Sequence, residues 1–135
     1  MAIDFGRKRC GIAVTDPLRI IANGLDTVAT ASLVDFVRDY ASREPLDAII
    51  MGEPRDMRDR PSESQRFMRP ALARLRKALP DIPVELYDER FTSVLAHRAM
   101  LDGGLNRTDR RDKALVDKIS AAIILNDYLE SIRNR

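Results

Sequence analysis

The first sixteen residues, MAIDFGRKRCGIAVTD, constrain the fold more than any other stretch. They read as a short apolar strand, a basic turn bracketed by Gly6 and Gly11, and a second apolar strand. Asp4 stands inside the first of these strands, an unfavourable place, because Asp has low strand propensity and its charge is costly to bury. The turn sets Arg7, Lys8 and Arg9 beside that carboxylate. An acid held in a sheet next to cations and bare backbone suits a site for a metal ion or a phosphate. It suits equally an edge-strand Asp paired with an arginine in an ordinary hairpin. The choice rests with the remainder of the chain.

The hydrophobic periodicity supplies a frame. Ile20 to Asn23 and Leu25 to Val28, split by Asn23-Gly24, read as a third strand with a kink or bulge, which makes an antiparallel meander. Thr30 or Ser32 is placed to cap a helix running to about Arg43, with Leu33, Phe36, Val37 and Tyr40 on its apolar face. Asp47 to Gly52 is a continuously apolar strand, the pattern of one covered on both faces. A polar loop from Glu53 to Ser62 leads to a helix over about Glu63 to Leu79. Its Phe67, Leu72, Leu75 and Leu79 point inward, and Pro70 kinks it or marks where its regular part begins.

Pro83 to Asp88 is the last strand. Thr92 or Ser93 caps a helix to about Leu101, closed by Gly103-Gly104. The charged segment Asn106 to Lys113 then leads into a final helix from about Asp112 to Ile132, with Leu115, Ile119, Ala122, Ile123 and Leu129 on one face. The expectation is one α/β domain over residues 1–135. Its five-stranded mixed sheet has three antiparallel strands followed by two parallel ones, flanked by helices.

Composition narrows the function. With 23 Lys+Arg against 21 Asp+Glu, the net charge is only +2, so bulk charge does not by itself demand a nucleic-acid partner. Most of the cations are arginines, the better residue for bidentate phosphate contacts. The lone Cys10 precludes an internal disulfide and fits a reducing compartment. His97 is the only histidine, which argues against a His-rich zinc site and a Ser-His-Asp triad. No apolar run approaches the ~20 residues that span a bilayer, and the N-terminus lacks a signal-peptide pattern. A cytoplasmic protein with no membrane partner is expected.

The acids fall at informative places. Asp88 and Glu89 end the last strand, where ligand sites of open α/β sheets cluster. Asp117 lies inside the final helix with Ala121, Ile124 and Tyr128 near its own stripe, so it is turned at least partly towards the domain. Acids from three elements can converge on hard cations such as Mg²⁺. Two ions roughly 3.5–4 Å apart activate a water and stabilise the leaving oxygen in phosphodiester cleavage. Each acid also has an ordinary reading: Asp117 pairs with Arg111, Lys113 or another nearby cation, and Asp88-Glu89-Arg90 is a solvated turn.

Four segments carry a resemblance: AIDFGRKRCGIAVTDP (Ala2 to Pro17), IIMGEPRDM (Ile49 to Met57), YDERFTS (Tyr87 to Ser93) and DKISAAIIL (Asp117 to Leu125). Together they resemble the YqgF (RuvX-like) family of RNase H-like proteins, relatives of Holliday junction resolvases also regarded as pre-16S rRNA processing nucleases. Any one motif is weak; the combination, over essentially the full length, is specific. The resemblance implies an RNase H-like fold with Asp4, Glu89 and Asp117 as the catalytic, metal-binding set and two Mg²⁺ or Mn²⁺ ions as cofactors. By role, Asp4 would bridge the metals, Glu89 would ligate one, and Asp117 would complete the site. Asp16 and Asp88 are neighbours rather than primary ligands. Arg7, Lys8 and Arg9 would meet a nucleic-acid backbone. Glu53 and Arg55 depart from the family's usual apolar and small polar residues at the end of that strand.

Arg98, Arg107, Arg110, Arg111, Lys113 and Lys118 crowd the approach to the last helix. Beside an acidic site they suit phosphate contacts, with Arg110, Arg111 and Lys118 the nearest candidates, although Asp102, Asp109 and Asp112 interleave as in a solvated helix start. Four Phe, three Tyr and no Trp favour reading shape and backbone over base stacking. The leading expectation is a metal-dependent endonuclease on structured RNA, namely precursor 16S rRNA, in ribosome biogenesis. Branched DNA is the alternative substrate and favours a two-fold dimer, so monomer and homodimer both stay open. A phosphate-binding or nucleotide-hydrolysing protein using Asp4-Phe5-Gly6, and a non-catalytic nucleic-acid-binding module, are the other classes.

Overall fold

The strand that carries Asp4 is the middle one of the sheet. In a computed structural model, which describes residues 1–18, 20–53, 64–88 and 113–133, β1 (Ala2–Asp4), β2 (Arg9–Thr15) and β3 (Ala22–Ala29) form the antiparallel meander. The strands β4 (Ile49–Glu53) and β5 (Val84–Asp88) extend it in parallel on the other side of β1, giving the order β3-β2-β1-β4-β5. Asp4 is therefore not an edge residue. Its strand is hydrogen-bonded on both sides, and the hairpin-edge explanation of its charge falls away.

Strand alternation assigns each residue of β1 to a face. Ile3 joins Cys10, Ile12, Ile49 and Met51 on one face, under Leu33 and Val37 of α1 (Leu33–Arg43) and Met68, Leu72 and Leu75 of α2 (Ser64–Ala78). Ala2 joins Ala13 and Ile50 on the other, against Ala121, Ile124 and Leu125 of α3 (Lys113–Arg133). The continuous apolar run of β4 follows from cover on both faces. A bulge lets Gly24 and Asp26 of β3 pair with successive residues of β2, Ala13 and Ile12, leaving Leu25 as the extra residue.

Three expectations need correcting. Neither Thr30 nor Ser32 caps α1 by its side chain: the chain takes a 3₁₀ turn over Thr30–Ser32, and no side-chain cap bond forms at Ser32. The Thr30 hydroxyl donates instead to the Gly6 carbonyl at 2.7 Å, while its N–H donates to the Lys8 carbonyl at 3.0 Å. It thus ties down the β1–β2 turn. Phe67 is 41% exposed, because the buried face of α2 is centred on Met68, Ala71, Leu72 and Leu75. Leu115 and Ile119 of α3 are exposed too. That helix is apolar nearly all round, so its periodicity admits two stripes: of the expected one Leu129 is buried and Ala122 and Ile123 are half-buried, while Ala121, Ile124 and Leu125, on Asp117's side, are fully covered.

Pro70 lies inside α2, which runs through it without ending. The Glu53–Ser62 loop beyond Glu53, the expected helix from Thr92 to Leu101 and the charged segment before Lys113 lie outside the described residues.

Ser120 is fully buried in α3, and its Oγ has no hydrogen-bond partner among the described residues. An unsatisfied buried hydroxyl costs stability that an alanine does not. Ser120→Ala is expected to stabilise the fold by about 1 kcal/mol, read as a higher urea midpoint at unchanged slope. A clear loss of stability would show that the hydroxyl is satisfied in solution.

Candidate active site

Asp4 ends β1 and is 4% exposed. In the β1–β2 ladder it stands opposite Gly11. Directly opposed residues of an antiparallel pair share a face, so the Asp4 carboxylate lies on the face that α3 covers, two residues on from Ala2. A Cβ built on Gly11 would overlap the backbone carbonyl of Asp117. The helix backbone therefore touches the sheet here, beside Asp4. Gly24 repeats the device one strand out, where a Cβ would come within 2.6 Å of Lys118 Cγ. Glycine at Gly11 is needed for close approach of another backbone, a use of glycine that strand interiors share with bulges.

The Asp117 carboxylate is held by Arg9, whose Nε donates to Oδ2 at 2.7 Å. Of the cations expected to pair with Asp117, Arg111 and the side chain of Lys113 lie outside what the structure describes. Arg9 is the residue that composition and local sequence concealed, since it is 108 positions from its partner. The other turn cations are placed differently. The Arg7 guanidinium stacks on the Phe67 ring, 4.5 Å from its centroid. Lys8 is exposed. Lys118, about 100° round the helix from Asp117, lines a cleft of about 340 Å³ with Gly24, Asn126 and Asp127. Glu89, Arg110 and Arg111 lie outside the described residues.

Two further groups report on the site's electrostatics. Burial pushes the Cys10 thiol above its ordinary pKa, with the Asp4 and Asp117 carboxylates adding to the shift. The thiol itself contacts the Thr30 hydroxyl and the Gly6 carbonyl. Asp16, expected as a neighbour of the acidic set, is occupied structurally. Its carboxylate accepts the N–H groups of Leu18, Ile20 and Ile21, and these bonds, Ile21's foremost, lower its pKa. Asp88 ends β5, half-buried, in register with Glu53 of β4.

The donors present suit a hard divalent ion. Asp4 and Asp117 offer carboxylate oxygens from a strand and a helix, brought to one face with no side chain at Gly11 between them. The Arg9 guanidinium at Asp117 shows that this carboxylate already draws a cation. Among the described residues no three His, Cys, Asp or Glu side chains group closely enough to hold a metal. Glu89, the third acid expected in the set, follows the end of β5 directly in sequence and lies outside the described residues.

Comparison with known proteins adds an independent line. A family model described as RuvX, Holliday junction resolvase, matches residues 1–131. A protein of Phocaeicola vulgatus, named "Putative pre-16S rRNA nuclease", is 60% identical over 97% of this chain and 94% of its own length. Relatives of the same name in Bacteroides fragilis and Flavobacterium johnsoniae are 56% and 47% identical, each over 98% of this chain and 96% of theirs. In structure, the fold is similar to RuvC of T. thermophilus, solved with a Holliday junction substrate. The TM-score is 0.60 at 20% identity, covering 97% of this chain and 92% of that one. The five-stranded mixed sheet with its helices is the RNase H-like fold of that neighbour.

If Gly11 sets the approach of α3, a single methyl group should disrupt the site. Gly11→Ala is expected to destabilise the protein by about 3 kcal/mol, the upper end for overpacking because backbone and not a side chain must move. Urea unfolding checks this. A loss below about 0.5 kcal/mol would mean that α3 does not rest on Gly11.

Proposed function

We propose a nuclease function on the premise that the chain belongs to the RuvX family, described as Holliday junction resolvases. The protein is a divalent-metal-dependent endonuclease that hydrolyses phosphodiester bonds, with Asp4, Glu89 and Asp117 as its catalytic carboxylates. The observation that carries this reading is the meeting of Asp4 and Asp117 across Gly11. A chain that places a carboxylate on its central strand, and omits a side chain opposite it so that a second acid can approach, is built around that juxtaposition.

When bound, Mg²⁺ or Mn²⁺ would lower the pKa of the attacking water and stabilise the charge on the leaving oxygen. The residues themselves orient and exclude. Asp4 projects its carboxylate from a strand whose backbone is held by hydrogen-bonded neighbours on both sides. Asp117 enters from a helix seated on the sheet backbone, and Glu89 supplies the third oxygen donor. Arg7 and Lys8, in the turn next to Asp4, meet the nucleic-acid backbone, and Arg110, Arg111 and Lys118 are the further cations proposed to contact it. Contacts of this kind position a strand without reading its sequence.

The substrate proposed is precursor 16S rRNA, so that the protein acts in ribosome biogenesis in the cytoplasm. This rests on relatives of 47–60% identity that carry the pre-16S rRNA nuclease name along nearly their whole length. Among the described residues no helix is long and apolar enough to cross a membrane. Branched DNA is the second reading, favoured by the family's description and by the junction bound to the RuvC neighbour.

Cleavage of a precursor 16S rRNA fragment and of a four-way DNA junction, each with Mg²⁺, Mn²⁺ or EDTA, tests the proposal. The RNA fragment is expected to be cut with metal and not with EDTA. Asp4→Asn, Glu89→Gln and Asp117→Asn are each expected to slow cleavage at least about 100-fold, the rate equivalent of losing several kcal/mol of charge stabilisation. Wild-type rates in any folded variant would remove that residue from the site. Cleavage of the junction alone would transfer the proposal to DNA.

A further inference from the structure

The Arg9–Asp117 pair joins a cation of β2 to an acid of α3 within the face that also holds Asp4. Its Nε–Oδ2 distance is 2.7 Å, and the two side chains are 39% and 25% exposed. Among the described residues, Arg9 is the hydrogen-bond partner that the structure gives the Asp117 carboxylate. The guanidinium therefore supplies at Asp117 the positive charge that a divalent ion would bring. A divalent ion reaching Asp117 meets like charge a few ångströms away, in a partly buried setting where screening is weaker than in bulk water.

We propose that Arg9 is a positioning residue that holds Asp117 towards the site and competes with the divalent ion for its carboxylate. Arg9 thereby keeps the ion's affinity lower than the acids alone would give. Two effects oppose one another here. Removing Arg9 frees the Asp117 rotamer, which weakens binding. It also removes a full positive charge facing a doubly charged ion, which strengthens it. The rotamer term is limited, because an aspartate has only two side-chain torsions to lose and the backbone that carries this one is already held against Gly11. The charge term prevails.

This inference rests on the metal-site reading of Asp4 and Asp117, and Mn²⁺ binding without nucleic acid separates the two. Free Mn²⁺ is followed by electron paramagnetic resonance during titration of the full chain, with circular dichroism confirming the fold of each variant. The wild type is expected to bind Mn²⁺ saturably and Asp4→Asn to lose that binding. Arg9→Gln and Arg9→Met, two neutral replacements of different polarity, are expected to bind about 3- to 10-fold more tightly, from the loss of one like charge. Arg9→Lys, which keeps the charge, should stay within about 2-fold of the wild type. Equal or weaker binding by both neutral variants, with the wild type still binding, overturns the inference alone. Tightening in Arg9→Lys to match the neutral variants overturns it too. No saturable binding by the wild type or any Arg9 variant overturns the metal site itself, and the inference with it.

Discussion

The contact between the Asp117 carbonyl and the bare backbone of Gly11 is the constraint on which the rest of the site depends. A helix ordinarily stands off a sheet by the thickness of two side-chain layers. Here the residues facing α3 are small along two strands, Ala2 and Ala13 beside Gly11, and the helix settles into the space they leave. Asp4 stands opposite Gly11 in the ladder, so the same contact that seats the helix fixes where Asp117 lies relative to it. Position and proximity follow from backbone geometry and do not rely on a mobile loop.

Electrostatics then shapes what the geometry has assembled. A carboxylate at 4% exposure carries a desolvation cost that only polar partners or a cation can offset. Asp117, less buried, recruits Arg9 from the neighbouring strand. The basic turn thus has divided duties: Arg9 pairs with Asp117, Arg7 is stacked on Phe67, and Lys8 is left to solvent. Read along the chain, the three cations look alike. In space only their backbone is shared, because successive residues leaving a tight turn diverge.

Much of this was legible beforehand, for reasons that differ by residue. The meander and the parallel strands followed from apolar runs punctuated by glycine, proline and Asn-Gly. Asp4 stood out because a charge in a strand contradicts its setting, and such contradictions mark sites. Asp117 was legible through Ala121 and Ile124, whose stripe the structure buries. Other features could not be read. In an all-round apolar helix, period alone does not choose between the Leu115–Ile119 stripe and the Asp117 stripe. The role of Gly11 was hidden behind its look as a turn bracket, although a glycine within an apolar strand is itself a sign of close approach. The Arg9–Asp117 pair is a product of tertiary packing, and no local signal announces it. Thr30 has the composition of a cap and serves as a strut for the β1–β2 turn instead.

The claim that the fold exists to bring Asp4 and Asp117 to one divalent ion is tested most directly by anomalous diffraction from crystals of the protein grown with Mn²⁺. The account predicts anomalous density within about 2.5 Å of carboxylate oxygens of both Asp4 and Asp117, on the face covered by α3. Ordered Mn²⁺ elsewhere on the molecule, with no density shared by these two carboxylates at saturating metal, would contradict it.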